Sequence, residues 1–205
     1  METYRVGDHD VTFDPSEHRY WVDGIEVASV SQIVQTIHPR KTKNIDPEIL
    51  KKAAQRGNEL HDMIEHYERH GIKTYHPEMQ SYLALKTQHQ FDVMESEPLV
   101  LLHVDGAVIG AGRFDMVVRS PYIKGEGIAD VKRMAHLDEQ RLRLQLNLYK
   151  LAYEQTYKRK ISYLKCIHIR NRHHRYVDIL IDKTLAKDAL DAYLEKHPID
   201  FRAYL

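Results

Sequence analysis

Two acidic residues and a lysine lie in apolar parts of the sequence where charged side chains are not expected. Asp115 falls within residues 112–118, and Asp130 and Lys132 fall within residues 128–134; both stretches have the β-branched content typical of buried strands. A carboxylate removed from water is destabilised unless it is paired or coordinates a cation. Two acids directed to one place therefore predict a hard divalent metal, Mg²⁺ or Mn²⁺.

The spacing along the predicted strands decides which of these side chains can meet. Asp130 and Lys132 are two residues apart, so on a strand they point to one face, while Val131 points to the other. The Pro- and Gly-containing residues 120–127 predict a turn that folds the two strands into a hairpin and brings Asp115 near Asp130. The sequence thus predicts a metal site shared by two adjacent strands.

These residue types match the needs of phosphodiester hydrolysis, which are oxygen ligands for a metal, a group that orients water, and positive charge beside the developing oxyanion. Asp115 and Asp130 are predicted ligands, with the carbonyl of Val131 as another. Lys132 is predicted to position the water and to offset charge in the transition state. An ordinary buried ion pair between Asp130 and Lys132 is the alternative, since it explains the same charges without a metal.

Two predicted helices carry further candidates. On the first, Gly57, His61 and Glu65 follow one another at intervals of four, so one face offers a close-approach glycine, an imidazole and a carboxylate. His61 is the predicted nitrogen ligand; the alternative is a solvated or hydrogen-bonded histidine. On the second, Gln145 and Tyr149 are also four apart and are predicted to hold a phosphate or base near the ion, although Tyr149 could instead belong to the core.

In combination these segments resemble the PD-(D/E)XK nuclease superfamily, and within it the RecB-like exonucleases, which include phage-encoded members and the mitochondrial genome maintenance exonuclease. The resemblance covers most of the chain, including residues 18–33. It implies the following roles: a helix histidine that helps bind metal (His61), a first acid (Asp115), the acid-x-lysine motif (Asp130 and Lys132) and the downstream Gln-x3-Tyr motif (Gln145 and Tyr149).

The sequence departs from the family pattern at two positions that carry no catalytic group. Phe114 stands where a proline precedes the first acid, and Arg133 follows the lysine where threonine is frequent. Glu97 is the candidate for the glutamate that the family often carries ahead of the first acid, with a solvated loop residue as the alternative.

The resemblance implies an α/β fold with a restriction-endonuclease-like core, in which helices flank a mixed central β-sheet. Strand-like runs near the N-terminus add a small β-meander. We expect the meander and a short helix within residues 1–45 and the nuclease core within residues 46–205. The predicted core elements are helices at 46–69, 77–93, 138–157 and 183–196, and strands at 99–104, 107–109, 113–118, 128–132, 161–169 and 176–181.

The implied function is a metal-dependent deoxyribonuclease, an exonuclease that acts on DNA ends or single-stranded DNA through metal-activated water. Two alternatives stay open. One is a non-catalytic module that binds nucleic acid or protein on a nuclease fold. The other is a small-molecule metallohydrolase, disfavoured because nothing in the sequence indicates an enclosing apolar pocket.

The net charge of the chain limits how it could bind DNA. The formal net charge of zero excludes an argument from a globally basic chain, so binding to DNA must depend on local patches. Three are visible: residues 40–43, Arg133 with Arg141 and Arg143, and residues 170–175, of which Arg133, Arg170 and Arg172 are the predicted substrate contacts. A charged turn is also commonly just a solvated one.

The single cysteine, Cys166, excludes a disulfide within the chain and a cysteine-ligated zinc or iron–sulfur site, and its apolar surroundings predict a buried thiol. The sequence shows neither a signal-peptide pattern nor a run of membrane-spanning length. We therefore expect a cytoplasmic protein of a bacterial or phage-infected cell, with DNA and recombination or replication proteins as partners and no membrane.

Overall fold

A computed structural model of the chain describes residues 1–40 and 45–197. Within those two ranges the chain forms eleven strands and five α-helices. The strands are β1 (Glu2–Val6), β2 (His9–Asp14), β3 (Arg19–Val22), β4 (Ile25–Ser29), β5 (Asp92–Ser96), β6 (Leu99–Val104), β7 (Ala107–Arg113), β8 (Met116–Ser120), β9 (Ile123–Lys132), β10 (Ile161–Arg170) and β11 (His173–Ile179). The helices are α1 (Val30–Ile37), α2 (Pro47–His70), α3 (Pro77–His89), α4 (Glu139–Tyr157) and α5 (Lys183–Lys196).

The N-terminal sheet has the strand order β1-β2-β3-β4-β7-β6. Its first four strands form an antiparallel meander, and β4 then pairs in parallel with β7, where Ala28 lies opposite Gly110. A Cβ at Gly110 would lie 3.1 Å from the Ala28 carbonyl oxygen, so glycine permits this close pairing. The meander therefore shares its sheet with strands from the second half of the chain, and a division at residue 45 stays a prediction.

The central sheet has the order β11-β10-β9-β8-β5 and is mixed: β9 and β10 run parallel, and the other neighbouring pairs run antiparallel. One face packs against α2 and α3, and the other packs against α1, α4 and α5. Alternation along β9 explains the two-sided core, because Ile128 belongs to one cluster while Ala129 and Val131 belong to the other. The α/β class, the flanked mixed sheet and the small N-terminal meander are confirmed.

Local signals set most helix ends where they were predicted. Asp46 caps α2 with Pro47 in its first turn, and Gly71 ends it in the left-handed conformation at φ 69°. Ser29 and Gln32 form a capping box at the start of α1. No helix within the described ranges is long and apolar enough to cross a membrane.

Three predicted elements were wrong. Residues 107–109 and 113–118 were predicted as strands that place Asp115 inside the second, whereas β7 extends to Arg113 and Asp115 lies in the break before β8. The predicted helix 77–93 ends at His89, because Gln90 adopts a left-handed conformation and the chain turns into β5. The strand β1 was not predicted. Residues 41–43 of the predicted basic segment 40–43 lie outside the described residues.

Candidate functional site

Asp115 lies where helix α2 meets the end of the central sheet. One of its carboxylate oxygens, Oδ1, is 3.1 Å from Nδ1 of His61 on α2. The other, Oδ2, accepts a hydrogen bond from the backbone N–H of Val131 on β9 at 2.5 Å. The backbone N–H of Glu97 donates to the Asp115 carbonyl at 2.9 Å. The break between β7 and β8 thus places the Asp115 carboxylate in contact with α2 and β9, and the Asp115 backbone in contact with the turn between β5 and β6.

Asp130 and Lys132 lie beside this carboxylate near the end of β9. Their side chains form an ion pair, as expected for two residues on one face of a strand, while Val131 packs into the opposite core. The side chain of Asp130 is only 4% exposed, and its Oδ2 atom is the one that pairs with the Lys132 ammonium. A buried carboxylate is destabilising unless a cation accompanies it, and Lys132 is that cation here.

The two acids have pKa values displaced in opposite directions. Burial raises the pKa of Asp130, and the negative charge of Asp115 raises it further against the effect of Lys132. Burial alone would raise the pKa of Asp115 as well, but the charges of His61 and Lys132 and the Val131 hydrogen bond lower it below its usual value. Asp115 in turn raises the pKa of His61 to about 9. At neutral pH the imidazole is therefore a cation.

A small cavity of about 20 Å³ opens beside Asp115 and His61. A single water needs roughly 10–15 Å³ of such space, so the cavity admits one occupant of ion or water size. Asp130 and Lys132 do not line this cavity and act on Asp115 through charge. The polar or charged residues that line it are His61, Glu65, Glu68, Ser96, Glu97 and Asp115.

Glu97, which the resemblance offers as the candidate for a further acid, lines this cavity. Burial raises its pKa, and the nearby charges of Glu65 and Asp115 raise it further. Its backbone adopts a left-handed conformation at φ 50°, which turns the chain between β5 and β6. Three glutamates thus join Asp115 around the cavity: Glu65 and Glu68 from α2, and Glu97 from this turn. Of these, Glu68 was not among the candidates that the sequence offered.

The donors around Asp115 have the chemistry that suits Mg²⁺ or Mn²⁺. Carboxylate oxygens predominate, with one imidazole. Among the residues that the structure describes, no group of three or more histidine, cysteine or acidic side chains is arranged so that it could hold a metal ion. Protonated His61 and Lys132 instead supply the positive charge that offsets the two acids.

Gln145 and Tyr149 both lie on α4 below the site. The Tyr149 ring is buried and packs against Phe114 with ring centroids 5.5 Å apart, which agrees with the alternative that it belongs to the core. Its hydroxyl is hydrogen-bonded to Gln145 and to Ser31 of α1. Burial raises the pKa of this hydroxyl, and the charges of Asp130 and Asp115 raise it further. The predicted pair is brought together beside the two acids.

The structure separates one of the predicted basic patches. Arg133 points to the α3 side of the sheet, where its Nε atom is 2.8 Å from Glu78. Arg141 donates to the His38 carbonyl and Arg143 pairs with Asp182 at 2.5 Å, both on the α4 side. Alternation along β9 sends Arg133 away from Lys132, which is why grouping it with the α4 arginines was wrong.

The other predicted residues are also located. Arg170 is the exposed last residue of β10, and Arg172 lies in the turn before β11. Gly57 is in α2, but a Cβ there would meet nothing within 4 Å, so the predicted close approach of another protein segment is absent among the described residues. Cys166 is buried, as predicted, and burial raises its pKa to about 12.

No protein-family model matches the chain, and no curated protein sequence matches it. Two solved structures are similar in their arrangement of elements. The protein SSO0001 is 15% identical over 83% of this chain and 76% of its own, with a TM-score of 0.46. A presumed exonuclease from Eubacterium rectale is 12% identical over 84% of this chain and 79% of its own, with a TM-score of 0.48. Similarity at this level says nothing about the activity of the present chain.

Proposed function

We propose that the chain is a metal-dependent deoxyribonuclease of the PD-(D/E)XK superfamily, an exonuclease that acts on DNA ends or single strands. One observation carries the proposal: Asp115 contacts His61 of α2 and the backbone of β9, next to the buried pair of Asp130 and Lys132. Residue type and spacing in the sequence predict the same four side chains as a site. Their meeting at one point supports a common chemical task.

In this proposal Asp115 and Asp130 hold Mg²⁺ or Mn²⁺, with His61 as a further ligand and Val131 contributing its carbonyl. The ion would lower the pKa of a bound water and balance charge on the phosphate. Lys132 is already held by Asp130, so its ammonium is positioned to orient the attacking water and to stabilise the oxyanion. Gln145 fixes the Tyr149 hydroxyl at the floor of the site, where a phosphate or base would rest.

A second candidate is favoured by a specific observation. The four charged groups pair off as His61 with Asp115 and Lys132 with Asp130, which balances charge without any metal. A module that only binds nucleic acid or protein could use the fold in this state. Such a module would keep its full activity after Asp115→Asn, whereas a nuclease would lose cleavage and still hold DNA.

The proposal is tested with end-labelled DNA, single- and double-stranded, linear and circular, incubated with Mg²⁺, with Mn²⁺ or with a chelator. We expect linear substrates to be shortened only with metal, and Lys132→Ala to be slower by a factor of about 10²–10⁴, the usual contribution of such a group. Products that accumulate from labelled ends identify an exonuclease and its direction. Intact substrates under all conditions, or equal rates in wild type and Lys132→Ala, would overturn the proposal.

A further inference from the structure

A second feature of the surface lies on the other flank of α2. Two adjoining hollows of about 360 and 410 Å³ share His76, Pro77 and Arg172 and together form a continuous groove. The groove runs from α2, past the start of α3, to the turn between β10 and β11. The lining residues on which binding would depend are Arg56, Glu59, Tyr75, Glu78, Arg133 and Asn171.

The floor of the groove is held in place by a buried acid. Glu78 is 3% exposed; it pairs with the Arg133 guanidinium at 2.8 Å and accepts the backbone N–H of Asn171 at 2.6 Å. These contacts tie β9 and the β10–β11 turn to α3. Arg133 and Glu78 are paired with each other. The first hollow is therefore left with two exposed guanidinium groups at its rim, Arg56 and Arg172, against one further carboxylate, Glu59. Guanidinium groups suit phosphate oxygens.

Tyr75 adds an exposed aromatic ring to the groove. It lines the second hollow and is fully exposed, so its ring makes little contact with the protein itself. A charged groove combined with an accessible aromatic ring is the arrangement that binds single-stranded nucleic acid, because bases that are not stacked in a duplex can stack on the ring. Bases inside a duplex are not available for this contact.

We propose that this groove binds a single strand of nucleic acid, with an unpaired base stacked on Tyr75 and with Arg56 and Arg172 against phosphates. The inference rests on the proposed function, which it deepens by naming the form of the substrate. Arg133 directly follows Lys132 on the chain, and the groove and His61 lie on opposite flanks of α2. Their separation is therefore on the order of a helix diameter, about 10–12 Å.

Binding is measured by fluorescence anisotropy with a labelled oligothymidylate of about twenty nucleotides, longer than the ~4–16 that one binding fold covers. A chelator is present so that no cleavage occurs. Tyr75→Ala should weaken binding roughly tenfold, in line with the loss of one stacked base, and Tyr75→Phe should retain wild-type affinity. Tyr122→Ala is the matched control, because this tyrosine is 69% exposed in the β8–β9 turn and away from the groove.

The arginines are tested through salt dependence. On a single strand each phosphate contact adds about 0.7 to the slope of log affinity against log salt, so Arg172→Ala should reduce that slope by about 0.7. Lys187→Ala on α5, exposed on the other side of the central sheet, should leave it unchanged. Oligothymidylate and oligouridylate are compared to distinguish DNA from RNA, and a duplex of the same length should bind at least about tenfold more weakly.

Three results would overturn the groove assignment. They are absence of oligonucleotide binding, equal affinities for Tyr75→Ala and Tyr122→Ala, and duplex binding as tight as single-strand binding. The readout is independent of catalysis, because the chelator removes the metal that cleavage would need. If DNA is not cleaved but Tyr75→Ala still weakens binding, only the nuclease proposal fails. If DNA is cleaved but Tyr75→Ala binds like wild type, only the groove assignment fails.

Discussion

His61 and Asp115 are the residues whose ionisation controls the site. The pKa of His61 is about 9 because Asp115 faces it at 3.1 Å, so the imidazole carries a proton over most of the physiological range. A histidine binds a metal only as the neutral imidazole, so a metal would have to displace this proton. The histidine was predicted as a ligand from its helix position, but its charge state follows only from the contact with Asp115.

This charge state predicts opposite pH dependences for stability and for metal affinity. Without metal, the His61–Asp115 pair stabilises the fold fully below the unfolded pKa of about 6.5, and that contribution is lost as pH rises through about 9. The affinity for Mn²⁺ should instead increase as pH rises toward 9. Imidazole titration by NMR, with calorimetric Mn²⁺ binding at several pH values, measures both. A His61 pKa near 6.5 would contradict the prediction.

Asp115→Asn separates the electrostatic role of this carboxylate from its place in the fold. The amide can still accept the Val131 hydrogen bond, so the change in unfolding free energy should stay within about 1–2 kcal/mol. The His61 pKa should fall toward its ordinary value, and metal-dependent cleavage should be lost. NMR titration and a cleavage assay on the same sample provide the check. Full activity with an unchanged histidine pKa would show that the pair is not functional.

At the scale of elements, the β8–β9 hairpin and the helix starts could be predicted because each follows from local residues. Pro121 and Gly125 indicate the turn, and Asp–Pro indicates the start of α2. The break that holds Asp115 could not be predicted, because residues 113–118 have the composition of one apolar strand. Only the tertiary structure divides them, since β7 pairs with β6 and β8 pairs with β5. The edge strand β5 was also missed, since its polar residues DVMES show little of the apolar pattern of a strand.

Substitution of alanine for two glycines should change the free energy of unfolding in opposite directions. At Gly127 on β9, an added Cβ would overlap the buried ring of Tyr163 on β10, with Cζ only 2.6 Å away. Gly127→Ala should therefore lower the free energy of unfolding by about 1–3 kcal/mol. Gly57→Ala in α2 meets open space and should raise it by about 0.5–1 kcal/mol. Urea unfolding of both variants measures the difference, and equal effects would contradict the packing described.

At the scale of the whole molecule, a chain with no net charge places opposite charges on the two flanks of one helix. The acidic cavity at His61 and Asp115 and the arginine-lined groove are separated by α2. Of the groove's arginines, the sequence predicts Arg133 and Arg172 as substrate contacts but not Arg56. It groups Arg133 with Arg141 and Arg143, because the side of the sheet to which Arg133 turns is fixed only by the tertiary structure. The four site residues, and Glu97 as a candidate, could be predicted; the groove needed the tertiary structure.

A bound metal should stabilise the whole fold, because the ligands come from α2, the break before β8, and β9. At a Mg²⁺ concentration one hundred times the dissociation constant, the free energy of unfolding should rise by about 2.7 kcal/mol. Thermal unfolding with and without Mg²⁺ measures the effect, and Asp115→Asn is the control that should lose it. A wild-type unfolding temperature that does not respond to Mg²⁺ or Mn²⁺ would argue for the binding-module alternative.

The most direct measurement is the anomalous scattering of Mn²⁺ in crystals of the wild-type protein. The account predicts one strong peak within ordinary coordination distance, about 2.0–2.6 Å, of oxygens from both Asp115 and Asp130, with the His61 imidazole turned toward it. A peak elsewhere on the molecule, or no peak while His61 and Lys132 remain paired with the two acids, would contradict it.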